Sequence, residues 1–287
     1  MADQANKLRE KVTSQTQSTP RDRKTKVIAV TSGKGGVGKS NICLNLALSM
    51  EALDKKVMIL DLDVGMANVD VLMGVTPKGS LISMLEEKLP LEEVLETGVN
   101  GLTYIAGGNG IGRVFSMSED QLHHFFHEFS SLQGKVDYII LDTGAGLTQE
   151  SMRFLQAADD IFIVLNPEPP SITDAYAVLK ALHMKNDQLP IKLIVNRTIN
   201  EFEGEQASAN FLRASKQLLN KPIEVLGYIP DDDAVRKAVM AQTPYLLQYP
   251  RSKASEAVNQ IARTYLDLPT QYKLGVKGFL MKTLFHK

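Results

Sequence analysis

The sequence predicts an α/β protein built on a mostly parallel, twisted sheet with helices on both faces, and three observations predict it. A loop rich in glycine and lysine, Ser32 to Ser40, stands between an apolar run at Val27 to Val30 and a helical segment. Further apolar runs, at 57–61, 102–106, 136–142, 161–165, 191–195 and 224–228, alternate with helical stretches, as parallel strands joined by crossover helices do. Two of these runs close on an aspartate, Asp61 and Asp142, at the strand ends where open parallel sheets bind ligands.

Taken in order, residues 1–25 open with a short helical stretch, Asp3 to Val12, and continue as polar Thr13 to Pro20, the composition of a flexible linker. Residues 26–269 hold the alternating pattern and form the globular domain. Its first loop is a phosphate cradle. The glycines let backbone N–H groups close on phosphate oxygens, and the helix from about Asn41 adds its own unsatisfied N–H groups. Lys39 then reaches the β- and γ-phosphates, and the Ser40 hydroxyl is placed to ligate Mg²⁺. Gly35, Gly36, Val37, Gly38, Lys39, Ser40 and Asn41 are therefore the expected nucleotide contacts.

The run 57–61 continues as Asp61-Leu62-Asp63-Val64-Gly65, placing two carboxylates beside the loop, where a cation and an attacking water are handled. Gly107 to Gly110 reads as a loop. Ser118 to Leu132 reads as a helix capped by Ser118. Its His123 and His127 are spaced for a metal but lack a third ligand, and Phe125, Phe126 and Phe129 are expected core contacts. The run 136–142 ends in Asp142 and is followed by Thr143-Gly144-Ala145-Gly146, an acid for Mg²⁺ beside a mobile turn. Helices are expected at about 172–184, 207–219, 232–241 and 253–266. Three motifs fall at the carboxyl ends of the later strands: Asn166-Pro167-Glu168, Asn196-Arg197 and Pro230-Asp231-Asp232. Asn196 offers a donor and an acceptor to a base edge.

Residues 270–287 differ from the rest. As a helix they place Val276, Phe279, Leu280, Thr283 and Leu284 on one apolar face flanked by Lys277 and Lys282, which suits an anionic membrane interface; a terminal helix docked on the domain is the alternative.

Composition narrows the function further. Of the 287 residues 44% are hydrophobic and 23% charged, enough to bury a full core. The single cysteine, Cys43, excludes an intrachain disulfide and leaves too few thiols for an iron–sulfur carrier. With no signal peptide and no apolar run long enough for a bilayer, a cytoplasmic protein is expected. The net charge of −1 is unevenly spread: residues 1–26 carry +4, residues 270–287 carry +4, and the body between them is left with −9. An acidic body argues against a protein that coats DNA and makes the two basic ends the attachment sites.

The heptapeptide Lys34-Gly35-Gly36-Val37-Gly38-Lys39-Ser40 resembles the deviant-Walker ATPases of the MinD/ParA family. The resemblance spans about residues 26–287 and extends to Asp61-Leu62-Asp63, the strand ending in Asp142, Asn166-Pro167-Glu168, Asn196-Arg197 and the tail. It implies an ATP/ADP site with Mg²⁺ held by Ser40, Asp61 and Asp142, and a dimer formed on ATP in which Lys34 crosses to the partner's nucleotide. Glu168 would reach across the same interface, Asp63 would position the water, and Asn196, Arg197, Pro230 and Asp231 would flank the base. Relatives often have proline where this chain has Gly144. The N-terminal Asp3-Gln4-Ala5-x-x-Leu8-Arg9 looks like the FlhG (YlxH/FleN) branch, which governs flagellar number and placement. That branch implies stimulation of the GTPase FlhF through those five residues and attachment to anionic membrane through Val276, Phe279, Leu280 and Leu284, at the inner face of the cell membrane. Whether flagellar switch-complex proteins bind this member stays open. The rival readings are a ParA-like DNA partition ATPase, which needs a basic dimer surface, and a MinD-type regulator of the division site.

Overall fold

The structure, a computed structural model, describes residues 24–64, 68–108 and 117–269. Strand β1 (Lys26–Thr31) runs through the centre of the sheet, its side chains alternating between two cores: Ile28 and Val30 face one, Ala29 the other. The chain then passes through the glycine loop into α1 (Lys39–Glu51), buried on nearly every side. A helix apolar all round belongs in an interior, and α1 lies beneath the sheet.

Eight strands follow the order β3-β4-β2-β5-β1-β6-β7-β8. They are β2 (Val57–Asp61), β3 (Glu96–Thr97), β4 (Thr103–Ile105), β5 (Tyr138–Asp142), β6 (Asp160–Leu165), β7 (Ile191–Thr198) and β8 (Glu224–Pro230). All pairings are parallel except that of the edge strand β3 with β4. Neighbours β5 and β2 are in register so that Asp142 stands opposite Asp61.

The helices cover both faces. On the face of α1 lie α2 (Val69–Met73), α9 (Asp233–Met240), α10 (Tyr245–Gln248) and α11 (Lys253–Tyr265), packed through residues such as Leu44, Leu48, Tyr245 and Val258. On the other lie α3 (Leu81–Glu87), α4 (Leu91–Val94), α5 (Glu119–Ser130), α6 (Gln149–Ala157), α7 (Pro169–Lys185) and α8 (Glu201–Leu219), with Met84, Phe125, Leu155, Leu179 and Phe211 in the core.

Several boundaries differ from those expected. Helix α7 begins at Pro169 because proline at the first helical position loses nothing by lacking an N–H. Helix α8 begins at Glu201 because the Asn200 side chain accepts from the Glu203 amide at 2.9 Å and caps it. Phe125 is buried and stacks on Phe129 at 4.5 Å between centroids, but Phe126 points outward, half exposed, contrary to its expected place in the core. The expected stretches 3–12 and 270–287 lie outside the described residues, as does the glycine turn from 109.

The last helix sets where the chain ends. From β8 the chain turns through α9 and α10, and α11 runs back along the sheet. Its terminal Tyr265 packs edge-on against Phe162 (5.0 Å) and Tyr138 (5.9 Å), and its hydroxyl donates to Asp160 at 2.9 Å. Lys26 sits over the Tyr265 ring, 5.2 Å from its centroid, and pairs with Asp160 at 2.5 Å. All of these partners lie near the amino-terminal ends of strands, so both ends of the domain leave opposite the glycine loop.

Candidate nucleotide-binding site

The glycine loop is held from two sides before any ligand is considered. From the strand side, Asn196 at the end of β7, 8% exposed, donates its Nδ2 to the Val37 carbonyl at 2.7 Å. Asn166, at the end of β6, is satisfied when its amide nitrogen donates to the same carbonyl and to the Asn196 carbonyl, both at 3.2 Å. From the helix side, Gly33 lies so close to α7 that a Cβ there would fall 2.1 Å from the Asp174 carbonyl carbon. Gly38, at φ 98°, combines a left-handed backbone with the same lack of room, since its Cβ would meet Asn196 Nδ2 at 2.4 Å. Ser32 Oγ donates to the Lys34 carbonyl at 2.7 Å, and the Gly146 amide donates to the Ser32 carbonyl at 3.1 Å, joining the loop to the turn after β5.

Asn196 therefore carries a role that the sequence did not suggest. One of its two amide hydrogens is engaged by the loop, which leaves the other and the oxygen for a base. The contact of Asn166 with the loop and that of Gly33 with α7 were likewise not foreseen, because they join residues far apart in the chain.

Lys39 opens α1 with 6% of its surface exposed, and three carboxylates surround its end of the sheet. Asp142 is fully buried, and among the described residues neither of its oxygens has a hydrogen-bond partner. Burial pushes its pKa up to about 6, against the lowering influence of the Ser40 hydroxyl and the Lys39 ammonium. An orphaned, buried carboxylate beside a hydroxyl is the donor set that a hard divalent cation with its waters accepts, so these residues fit Mg²⁺. Asp61 is equally buried but fully engaged: Oδ1 accepts from the Asp63 amide at 2.9 Å, and Oδ2 from those of Asn68 at 3.1 Å and Val69 at 3.4 Å. Burial, and then the neighbouring Asp142, raise its pKa. Asp61 was expected to hold metal; here its oxygens accept backbone amides and fasten the segment that leads into α2.

Asp63 follows at the mouth of the site, half buried, its pKa raised by burial and opposed by Lys39. A Cβ on Gly144 would lie 3.2 Å from Asp63 Oδ1, so the residue that replaces the relatives' proline leaves space for this carboxylate. Lys34 and Glu168 were expected to reach toward a second chain. Here they pair with each other, Nζ to Oε2 at 2.6 Å. The hydrogen bond and charge of Lys34, with Arg197 nearby, hold the Glu168 carboxyl below its ordinary range. Arg197 is exposed at φ 58°, and Asp231 donates its amide to the Thr198 carbonyl at 2.9 Å just past Pro230, where β8 meets β7.

A ParA family model, described as NUBPL iron-transfer P-loop NTPase, matches residues 23–266. The chain belongs to the ParA family of P-loop NTPases. Within this family it is similar to two flagellar proteins. It is 38% identical over 237 residues to the antiactivator FleN of Pseudomonas aeruginosa, covering 83% of this chain and 85% of that one. It is 33% identical over 269 residues to the flagellum site-determining protein YlxH of Helicobacter pylori, covering 91% and 90%. The structure of the septum site-determining protein MinD from Pyrococcus horikoshii, complexed with Mg-ADP, superposes with a TM-score of 0.67 at 25% identity, over 84% of this chain and 96% of that one. These ParA-family relatives support the FlhG-like assignment. The iron in the family model's description has no counterpart in the chain's thiols, of which Cys43, buried in α1, is the only one.

Proposed function

We propose that this ParA-family chain is a MinD-type, Mg²⁺-dependent ATPase that regulates flagellar number and placement. The observation that carries the reading is Asp142, buried and without a hydrogen-bond partner among the described residues, within the electrostatic influence of Lys39 beside a preshaped glycine loop. The flagellar relatives support the biological setting. Ser40 and Asp142 would hold Mg²⁺, whose charge offsets that of the phosphates. Lys39 and the loop amides bind and orient the β- and γ-phosphates in a site largely closed to water. Asp63 orients the attacking water from the opposite side. Two chains dimerise on ATP, and Lys34 then exchanges Glu168 for the partner's nucleotide. Asn196, Arg197, Pro230 and Asp231 border the base.

In the same reading the first dozen residues, through Asp3, Gln4, Ala5, Leu8 and Arg9, stimulate the GTPase FlhF, while Val276, Phe279, Leu280 and Leu284 hold the ATP-bound dimer on anionic membrane. Among the described residues no helix is long and apolar enough to cross a bilayer. ATP hydrolysis, sedimentation velocity with a non-hydrolysable ATP analogue, and flagellar counts in cells carrying Lys39→Ala test the reading together. Loss of nucleotide binding with an altered flagellar count is expected. Normal flagellation by a variant that has lost ATP binding would overturn it.

A further inference from the structure

Two residues at the end of β6 serve the phosphate loop in different ways: Asn166 holds it at the Val37 carbonyl, and Glu168 pairs with Lys34 at its rim. The segment that carries them has little freedom. Of the six residues from Asn166 to Ser171, Pro167, Pro169 and Pro170 have φ fixed by their rings. Its ends are tied together, because the Asn166 amide donates to Ser171 Oγ at 2.9 Å. Ser171, 2% exposed, lies in the first turn of α7, and Asn166 is 4% exposed. A buried amide past the end of a strand needs an acceptor, and here a helix side chain supplies it. The first turn of α7 is closed in the same way: the Ile172 amide donates to the Glu168 carbonyl at 3.1 Å, and Thr173 Oγ1 to the Pro169 carbonyl at 3.0 Å. One turn further on, the backbone of Asp174 and Ala175 lies against Gly33. The loop is therefore gripped at Val37 and at Gly33 by two parts of one braced unit.

We infer that Ser171 is a positioning residue for ATP hydrolysis: its hydroxyl fixes Asn166, Asn166 fixes the Val37 carbonyl, and the loop thereby presents its amides to the phosphates in the geometry that reaction needs. This rests on the ATPase function proposed above. Ser171 acts through Asn166 and not on the nucleotide. A small displacement of the loop keeps most ground-state phosphate contacts but misaligns the attack on the last phosphate, so reaction suffers more than binding.

The test uses the full chain with Mg²⁺ and ATP, reading phosphate release over a range of ATP concentrations beside thermal denaturation. Ser171→Ala is expected to lower kcat about tenfold and to leave KM within about twofold of native. Ser171→Thr, which keeps the hydroxyl, is expected to restore kcat. Asn166→Ala removes the contact with Val37 itself and is expected to lower kcat further and to raise KM. The double variant should match Asn166→Ala alone, because both residues act through one contact. A Ser171→Ala chain with native kcat overturns the inference. So does a Ser171→Thr chain that melts as the native one does but has the kcat of Ser171→Ala, or a double variant in which the two losses multiply. Should Ser171→Ala melt below the assay temperature, Asn166→Ala decides, and a native kcat there overturns the inference. A native chain that releases no phosphate overturns the ATPase reading itself, and the role of Ser171 with it.

Discussion

Asp61 and Asp142 stand opposite each other on adjacent strands, both fully buried, yet their surroundings differ in kind. Three backbone amides converge on Asp61, and among the described residues nothing donates to Asp142 with hydrogen-bond geometry. The first fastens the segment that follows it. The second is desolvated, with its oxygens open to a ligand under the function proposed above. Position at a strand end beside a glycine loop did not separate the two, because the difference lies in where the following segments fold: after β2 the chain doubles back over its own carboxylate, and after β5 it turns toward Ser32.

That contrast is most sharply broken by exchanging charge for neutrality at Asp142. Asp142→Asn should leave thermal stability unchanged or raised while turnover falls by about a thousandfold, the upper range for losing one preorganised electrostatic group. Phosphate release against Mg²⁺ concentration, together with thermal denaturation, checks both halves; near-native turnover would remove Asp142 from the site. Asp61→Ala should do the reverse, leaving three buried amides without an acceptor and costing about 3 kcal/mol of stability. An unaltered melting temperature would show that water replaces the carboxylate.

Asp63, exposed enough to meet water, should sharpen the comparison from the catalytic side. Asp63→Ala is expected to keep ATP binding and lower phosphate release by about a hundredfold. If release stays native, another group orients the water. A smaller effect is expected at Gly144, where alanine presses on Asp63: Gly144→Ala should cost at most about 1 kcal/mol of stability and lower turnover a few-fold. A gain in turnover would mean that the contact guides Asp63.

The smallest effect concerns pH. Burial raises the folded-state pKa of Asp142 to about 6, above the unfolded value, so the folded chain binds more protons than the unfolded one as pH falls through that range. The nucleotide-free chain should therefore lose this contribution to stability as pH rises from about 4 to about 6. Asp142→Asn should remove this part of the pH dependence, and denaturant unfolding at several pH values would show it.

Much of the fold was legible because long apolar runs and a glycine loop carry local signals. The short elements were not. Helices α2, α3, α4 and α10 are one or two turns long, too brief for a 3.6-residue period to register. Helices α3 and α6 begin with capping boxes that use Ser83 and Ser151 at the third position in place of the usual acid or amide. At the site, spacing and the family resemblance brought forward Lys39, Ser40 and the acids as candidates, without separating the roles of Asp61 and Asp142. Asn166 and Asn196 were not assigned to the loop, because their grip on Val37 spans well over a hundred residues of chain and leaves no trace in any window of sequence.

The grip on the Val37 carbonyl also bears on how fast nucleotide comes and goes. A loop already shaped by two asparagines from neighbouring strands loses little conformational freedom when phosphate arrives, so entry requires no refolding step and approaches the rate set by diffusion and orientation. Selection between triphosphate and diphosphate must then reside in residence time, governed by contacts to the last phosphate. The amide protons of Gly35 and Gly36, exposed while the loop is empty, should exchange readily with solvent deuterium before nucleotide is added and slow once phosphate accepts from them, although the loop itself does not change shape.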